Sequence, residues 1–207
     1  PCSVMAENGR FYLPGEAQNT PIGGAGYAYH VDAHAVARYL RRYAEERGVV
    51  RVEGLVKTVT RKDNGFLESV VLSDGRSMAA DFFIDCTGFR ALLIGQNLAV
   101  DYEDWSNFLP CDRAVAVKAS AVSPIPPYTR STAGKAGWLW NIPLQQRVGQ
   151  GYVYSSAISS AQDARSTLLR TAESKILDEP RLIPFVSGRR REMWRFNCLA
   201  LGLSAGF

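Results

Sequence analysis

Phe82-Phe83-Ile84-Asp85-Cys86-Thr87-Gly88 is the stretch on which the fold turns. An apolar run stops abruptly at small residues. In an open α/β sheet, ligands collect where strands end in tight glycine turns, because backbone without side chains can approach a phosphate closely. Thr87-Gly88 is therefore a candidate ligand edge. Upstream, the pattern predicts strands at Val49 to Thr60, Phe66 to Leu72 and Ser77 to Asp85, with Ser73-Asp74-Gly75-Arg76 as the turn between the last two. Before them, a helix starts at Asp32, a good N-cap. Val36, Ala37, Leu40 and Ala44 recur on one of its faces, and Gly48 supplies its stop. That apolar face calls for packing on a sheet.

Downstream of Gly88 the texture changes. Cys111 to Ala121 reads as a strand with an Ala-Val-Ala-Val centre, and the proline-rich Ser123 to Tyr128 as a loop. Gly137-Trp138-Leu139-Trp140-Asn141-Ile142-Pro143-Leu144 follows, with Tyr152-Val153-Tyr154-Ser155-Ser156 as its hairpin partner across a turn at Gln145 to Gly151. Two indoles one residue apart point to the same side of an extended strand, as one aromatic wall or as ordinary core packing. Ser160 with Asp163 makes a capping box for a helix running to about Ile176, and Trp194 to Leu203 reads as a last strand. The whole is α+β: a strand-helix layer from residue 22 to 100, an antiparallel sheet layer from 101 to 193, and a strand at 194–207 returning to the first layer, together one incomplete domain.

Composition excludes several classes. With 46% hydrophobic and 21% charged residues the chain is an ordinary globular sequence, and no apolar run approaches the length of a membrane span. The net charge of +4 comes from 24 basic and 20 acidic residues spread along 207 positions. Its densest run, Arg189-Arg190-Arg191, reads as a solvated face, and no aromatic-rich basic motif points to nucleic acid. Cys2, Cys86, Cys111 and Cys198 form no Cys-x-x-Cys pair, so a zinc site is not expected and the environment reads as reducing and cytoplasmic. Ile22-Gly23-Gly24-Ala25-Gly26 fails as a phosphate loop, because no hydrophobic strand leads into it. His30 and His34 read as structural, and no nucleophile-base pair can be argued.

Four segments carry a resemblance: Tyr27-Ala28-Tyr29-His30-Val31-Asp32-Ala33-His34, Asp81 to Arg90, Trp138-x-Trp140-x-Ile142-Pro143 with Gly151 to Ser156, and Asn197 to Phe207. In this order they resemble the flavin-dependent tryptophan halogenases. The Trp-x-Trp-x-Ile-Pro element is specific to these halogenases, whereas the Asp-x-Thr-Gly turn belongs to many flavoproteins.

The resemblance implies part of a flavin-monooxygenase-like FAD fold of the glutathione-reductase type, with a mixed sheet and an antiparallel substrate-side sheet. It also implies a reaction in which reduced FAD, supplied by a separate flavin reductase, uses oxygen and halide to make hypohalous acid. That oxidant halogenates tryptophan or a related indole or pyrrole. Carried over residue by residue, Val56 matches a position whose backbone meets the adenine end of FAD, and Leu203 after Gly202 a position against the flavin. Thr87 and Gly88 match the turn near the dinucleotide. Trp138 and Trp140 match the tryptophans that keep organic substrate away from the flavin. The family's glycine fingerprint, its oxidant-handling lysine and its catalytic glutamate have no counterpart here, so the resemblance implies a central fragment without catalytic residues of its own. A flavin-dependent aromatic hydroxylase or another oxidoreductase on the same fold is the alternative enzyme, and an inert core fragment the alternative without activity.

Overall fold

The computed structural model describes residues 2–21, 23 and 26–207. It divides into two compact units, one of residues 1–48 and 113–184, the other of residues 49–112 and 185–207. Ile22, Gly24 and Ala25 of the glycine-rich stretch lie outside the described residues.

The first described element is helix α1 (Cys2–Glu7), and the chain continues to helix α2 (Ala33–Glu45). The start of α2 is as expected: the Asp32 carboxylate accepts from the backbone N–H of His34 at 2.9 Å and of Ala35 at 3.3 Å. Gly48 ends the segment in the left-handed region at φ +89°. The expected packing is not found, because no residue of α2 is buried and Val36, Tyr39, Leu40 and Tyr43 stay exposed. An apolar stripe registers the need for a partner without saying which segment supplies it.

Strands β1 (Val56–Arg61), β2 (Leu67–Leu72) and β3 (Ser77–Ala79) form an antiparallel meander. Its second turn is the predicted one, with Gly75 at φ +90° and the Asp74 carboxylate accepting from Arg76 N at 3.1 Å. The first strand begins at Val56 and not Val49, and the residues just before it are held outside the ladder, Glu53 O by the Arg76 guanidinium at 2.6 Å and Leu55 O by Ser73 N at 2.8 Å. The third predicted strand is two. β3 ends at Ala79, and β4 (Phe83–Asp85) joins a different sheet. β5 (Tyr102–Asp104) arises between Gly88 and Cys111, where the sequence pattern predicts no strand.

In the first unit, β6 (Arg113–Ser120), β7 (Arg130–Gly134), β8 (Gly137–Pro143), β9 (Arg147–Tyr154) and, after helix α3 (Ala161–Thr171), β10 (Arg181–Pro184) build a five-stranded antiparallel sheet. Its strand order is β10-β6-β9-β8-β7. One face packs Val115, Val117, Tyr152 and Tyr154 against Ala164 and Leu168 of α3. Ser160 caps α3 as predicted, its hydroxyl accepting from Asp163 N at 3.1 Å. The helix stops at Thr171, short of Ile176, because the next residues pair along the end of β6: Ser120 N donates to Lys175 O at 2.8 Å and Leu177 N to Lys118 O at 2.9 Å.

The chain then returns to the second unit. β11 (Gly188–Arg190) pairs with β5, while β12 (Trp194–Arg195) and β13 (Cys198–Ala200) replace the single expected strand. Phe196, at φ +51°, reverses the chain between them. Buried Asn197 fixes this corner: its Oδ1 accepts from Leu67 N at 2.9 Å, and its Nδ2 donates to Leu67 O at 2.9 Å and Asp81 O at 3.0 Å. Leu67, Phe83, Leu93, Ile94, Cys198 and Ala200 form the core of this unit. The architecture is thus α+β with several separate sheets. Among the described residues no helix is long and apolar enough to cross a membrane.

Candidate functional site

β4 and β13 lie side by side in parallel, with Phe83 opposite Cys198, Ile84 opposite Leu199 and Asp85 opposite Ala200. Parallel neighbours end at the same sheet edge. The chain leaves each through a 3₁₀ turn, Gly88–Arg90 after β4 and Gly202–Ser204 after β13. The structure therefore brings Thr87, Gly88, Gly202 and Leu203 to one edge. Gly88 at φ +69° and Gly202 at φ +60° take backbone conformations that side chains resist, and a Cβ on either would meet nothing within 4 Å. Both turns thus present bare backbone to open space. Leu203 is exposed and Thr87 half-buried.

What shapes this edge is Asp85, fully buried at the end of β4, and the sequence reading did not single it out. After the turn, Ala91 enters the left-handed region at φ +42°, ψ +54°, and the chain winds into a π-helical turn at Leu92–Asn97. The first N–H groups of such a turn have no partner inside it. Here Leu93 N and Ile94 N donate to Asp85 Oδ2 at 2.9 and 2.8 Å, and Leu92 N donates to Thr87 Oγ1 at 2.7 Å. Thr87 in turn donates its hydroxyl and its N–H to Asp85 Oδ1 at 2.6 and 3.0 Å. Burial pushes the Asp85 carboxyl up. The hydrogen bonds from Thr87, Ile94 and Leu93 outweigh it and hold the group below the ordinary carboxylate value. A carboxylate two residues before the Thr-Gly pair, followed by an apolar run, was the signal that could have found it.

Val56 stands elsewhere in this unit, at the start of β1 in the meander and opposite Leu72. The arginine run is solvated at Arg189 and Arg191, which are exposed, and half-buried at Arg190. Arg189 pairs with Glu103 at 3.2 Å, and Arg190 donates to Val100 O at 2.8 Å while its guanidinium lies 5.1 Å from the Tyr102 ring centre.

In the other unit, β8 places Trp138 and Trp140 on one face as alternation requires, their ring centres 6.0 Å apart at 56°. Trp138 is 42% exposed. Trp140 lies opposite Gly151 of β9, so closely that a Cβ there would overlap its Cη2 and Cζ2. The missing side chain at Gly151 lets the indole lie flat on the sheet. Leu139 and Tyr152 point to the other face, into the core beneath α3. A cavity of about 420 Å³ opens on that other face along Leu139, Asn141, Gln150 and Leu168, although Trp140 also borders it.

The string Tyr27 to His34 meets the far end of β8. His30 Nδ1 is 2.8 Å from Pro143 O, and its Nε2 is 3.1 Å from Thr129 Oγ1. Arg147 at the start of β9 lies 3.6 Å from the Asp32 carboxylate that caps α2. His30 thus holds the segment following the tryptophans, consistent with its structural reading. Among the described residues no group of three or more His, Cys, Asp or Glu could hold a metal ion.

A family model described as tryptophan halogenase matches residues 1–207. Tryptophan 6-halogenase SttH of Streptomyces toxytricini is 40% identical over 185 residues, which cover 87% of this chain and 35% of that protein. Two solved flavin-dependent halogenases have a similar fold. Xcc4156 from Xanthomonas campestris superposes with a TM-score of 0.90 at 44% identity, covering 99% of this chain and 40% of its own. BrvH from Brevundimonas sp. BAL3 does so with a TM-score of 0.92 at 42% identity, covering 98% and 42%. The chain therefore spans between 35% and 42% of the length of these three proteins.

Proposed function

This chain belongs to the tryptophan halogenase family, and from that premise we propose that the protein carrying it is an FAD-dependent halogenase acting on tryptophan or a related indole or pyrrole. The single observation that carries this reading is the edge where β4 and β13 end together. Two left-handed glycines with nothing beyond them and a rigid, carboxylate-built turn fit a dinucleotide, which needs close approach to open backbone N–H groups. In this reading the second unit belongs to an FAD fold of the glutathione-reductase type. Thr87-Gly88 and Gly202-Leu203 hold the cofactor, and the backbone at Val56 meets its adenine end.

When bound, reduced FAD supplies, with oxygen, the two-electron oxidation that converts halide and a proton into hypohalous acid. The chain's own residues shape where that oxidant is made. Trp138 and Trp140 offer a broad aromatic face without a titratable group, which suits the role the resemblance gives them, keeping organic substrate off the flavin and so disfavouring hydroxylation. The antiparallel sheet that carries them is then the substrate-side sheet. The lysine that handles the oxidant and the carboxylate that stabilises the cationic ring are placed outside residues 1–207, as is the reductase that supplies reduced FAD in the cytoplasm.

Product analysis tests this reading. The natural full-length protein, given reduced FAD, oxygen, bromide or chloride and tryptophan, should yield a product heavier by one halogen in place of hydrogen. A hydroxylated product without any halogenated one would assign the fold to the hydroxylase alternative.

A further inference from the structure

We infer that Asp85 and Ser204 form a positioning pair that locks the two glycine turns of the cofactor edge to each other, an inference that rests on the assignment of those turns to FAD. Ser204 ends the second turn and is 1% exposed. Its Oγ lies 3.2 Å from Asp85 Oδ1 and 3.2 Å from Gly88 O. Either acceptor belongs to the first turn or its anchor, so the one hydroxyl proton is always spent across the gap. On the far side the bonds continue, since the same Asp85 Oδ1 takes the Thr87 hydroxyl, and Gly88 O also takes Ala91 N at 3.0 Å. The result is a run of bonds from Leu92 N through Thr87 and Asp85 to Ser204, with a buried carboxylate at its centre.

Neither turn needs Ser204 for its own shape. Without the hydroxyl, Asp85 keeps the donors from Thr87, Leu93 and Ile94, and the second turn keeps its own bond from Ala205 N to Gly202 O at 2.9 Å. What the hydroxyl sets is the position of Gly202-Leu203 relative to Thr87-Gly88. Two turns that hold one rigid ligand must keep that relation to about 0.5 Å.

The test uses the natural full-length protein and its Ser204→Ala and Ser204→Thr variants. Three quantities are read: the dissociation constant for oxidised FAD by fluorescence titration, the visible circular dichroism of the bound flavin, and the melting temperature of the cofactor-free protein. Ser204→Ala should weaken FAD about tenfold and alter the flavin dichroism, while the melting temperature of the cofactor-free protein falls by only a few degrees, the effect of losing one hydrogen bond to a buried carboxylate. Ser204→Thr, which keeps the hydroxyl, should restore both. Unchanged affinity and dichroism in Ser204→Ala would overturn the positioning role and leave the cofactor assignment standing. Equal weakening in both variants, or weakening with an unaltered flavin dichroism, would also overturn it in favour of plain packing. A wild-type protein that binds no FAD would overturn the cofactor assignment itself, and this inference with it.

Discussion

Replacing Gly151 by alanine probes the tryptophan face directly. Gly151 is buried in the middle of the five-stranded sheet, between Ala116 of β6 and Trp140 of β8. A methyl group there would overlap Trp140 Cη2 and Cζ2 and stand 2.6 Å from Cε2. The obstruction is the body of the ring, not the tip of a flexible chain, so the indole must lift off the strand or change rotamer. Overpacking of this kind costs about 1–3 kcal/mol, and the gain of roughly 0.5–1 kcal/mol from replacing a strand glycine offsets only part of it. A net loss of about 1–2 kcal/mol lowers the melting temperature by about 2–8 °C for a unit of this size. Because the two indoles are 6.0 Å apart, their exciton signal in circular dichroism should fall as well. Gly149→Ala is the matched control. It lies on the same face of the same strand, yet its Cβ would meet only Arg147 Nη1 at 3.7 Å and Ile142 O at 3.9 Å, ordinary contacts. If Gly151→Ala melts with the wild type and keeps the exciton signal, Trp140 does not lie on Gly151 and the account of this face is wrong.

Three further outcomes follow from the same geometry. Asp85→Asn keeps the size of the side chain but turns an N–H₂ or a weakened acceptor toward the N–H groups of Thr87, Leu93 and Ile94; unfolding by denaturant should show a loss of about 1.5–3 kcal/mol. The folded Asp85 carboxyl titrates below the ordinary value of about 3.9. Its contribution to stability is therefore complete above that value and lost as pH falls through the lower folded one, and an acid-unfolding series should show this step in the wild type and not in Asp85→Asn. The cysteines should separate by reactivity: Cys2 and Cys86 are exposed, whereas Cys198 is buried with its thiol pushed up to about 11 by burial and by Asp85. Iodoacetamide at about pH 8 followed by peptide mass mapping should modify the first two in the native protein and Cys198 only after denaturation.

Much of this fold was legible where a local rule acts alone. Asp32 and Ser160 cap their helices, Asp74-Gly75 turns its hairpin, and alternation puts both indoles on one face. The errors fall where tertiary pairing decides. Arg76 and Ser73 take the carbonyls of Glu53 and Leu55 before Val56, Lys175 and Leu177 leave the helical pattern to pair with β6, and Phe196 and Asn197 break an apolar strand into a tight corner. The site followed the same division. Thr87, Gly88, Gly202 and Leu203 could be singled out by resemblance, and their meeting at one edge depends on the parallel pairing of β4 with β13, more than 110 residues apart in sequence. Asp85 and Ser204 were missed because a buried carboxylate reads as an unlikely core residue until its donors are in view.

The measurement that bears most directly on this account is a titration of oxidised FAD, followed by flavin fluorescence, into the natural full-length protein and into the isolated 207-residue chain. The account predicts saturable one-to-one binding by the full-length protein and negligible binding by residues 1–207 alone, because the glycine fingerprint that completes the dinucleotide site has no counterpart in them. A full-length protein that shows no saturable binding would contradict the assignment of the β4–β13 edge to a flavin, and tight binding by the short chain would contradict the claim that its site is incomplete.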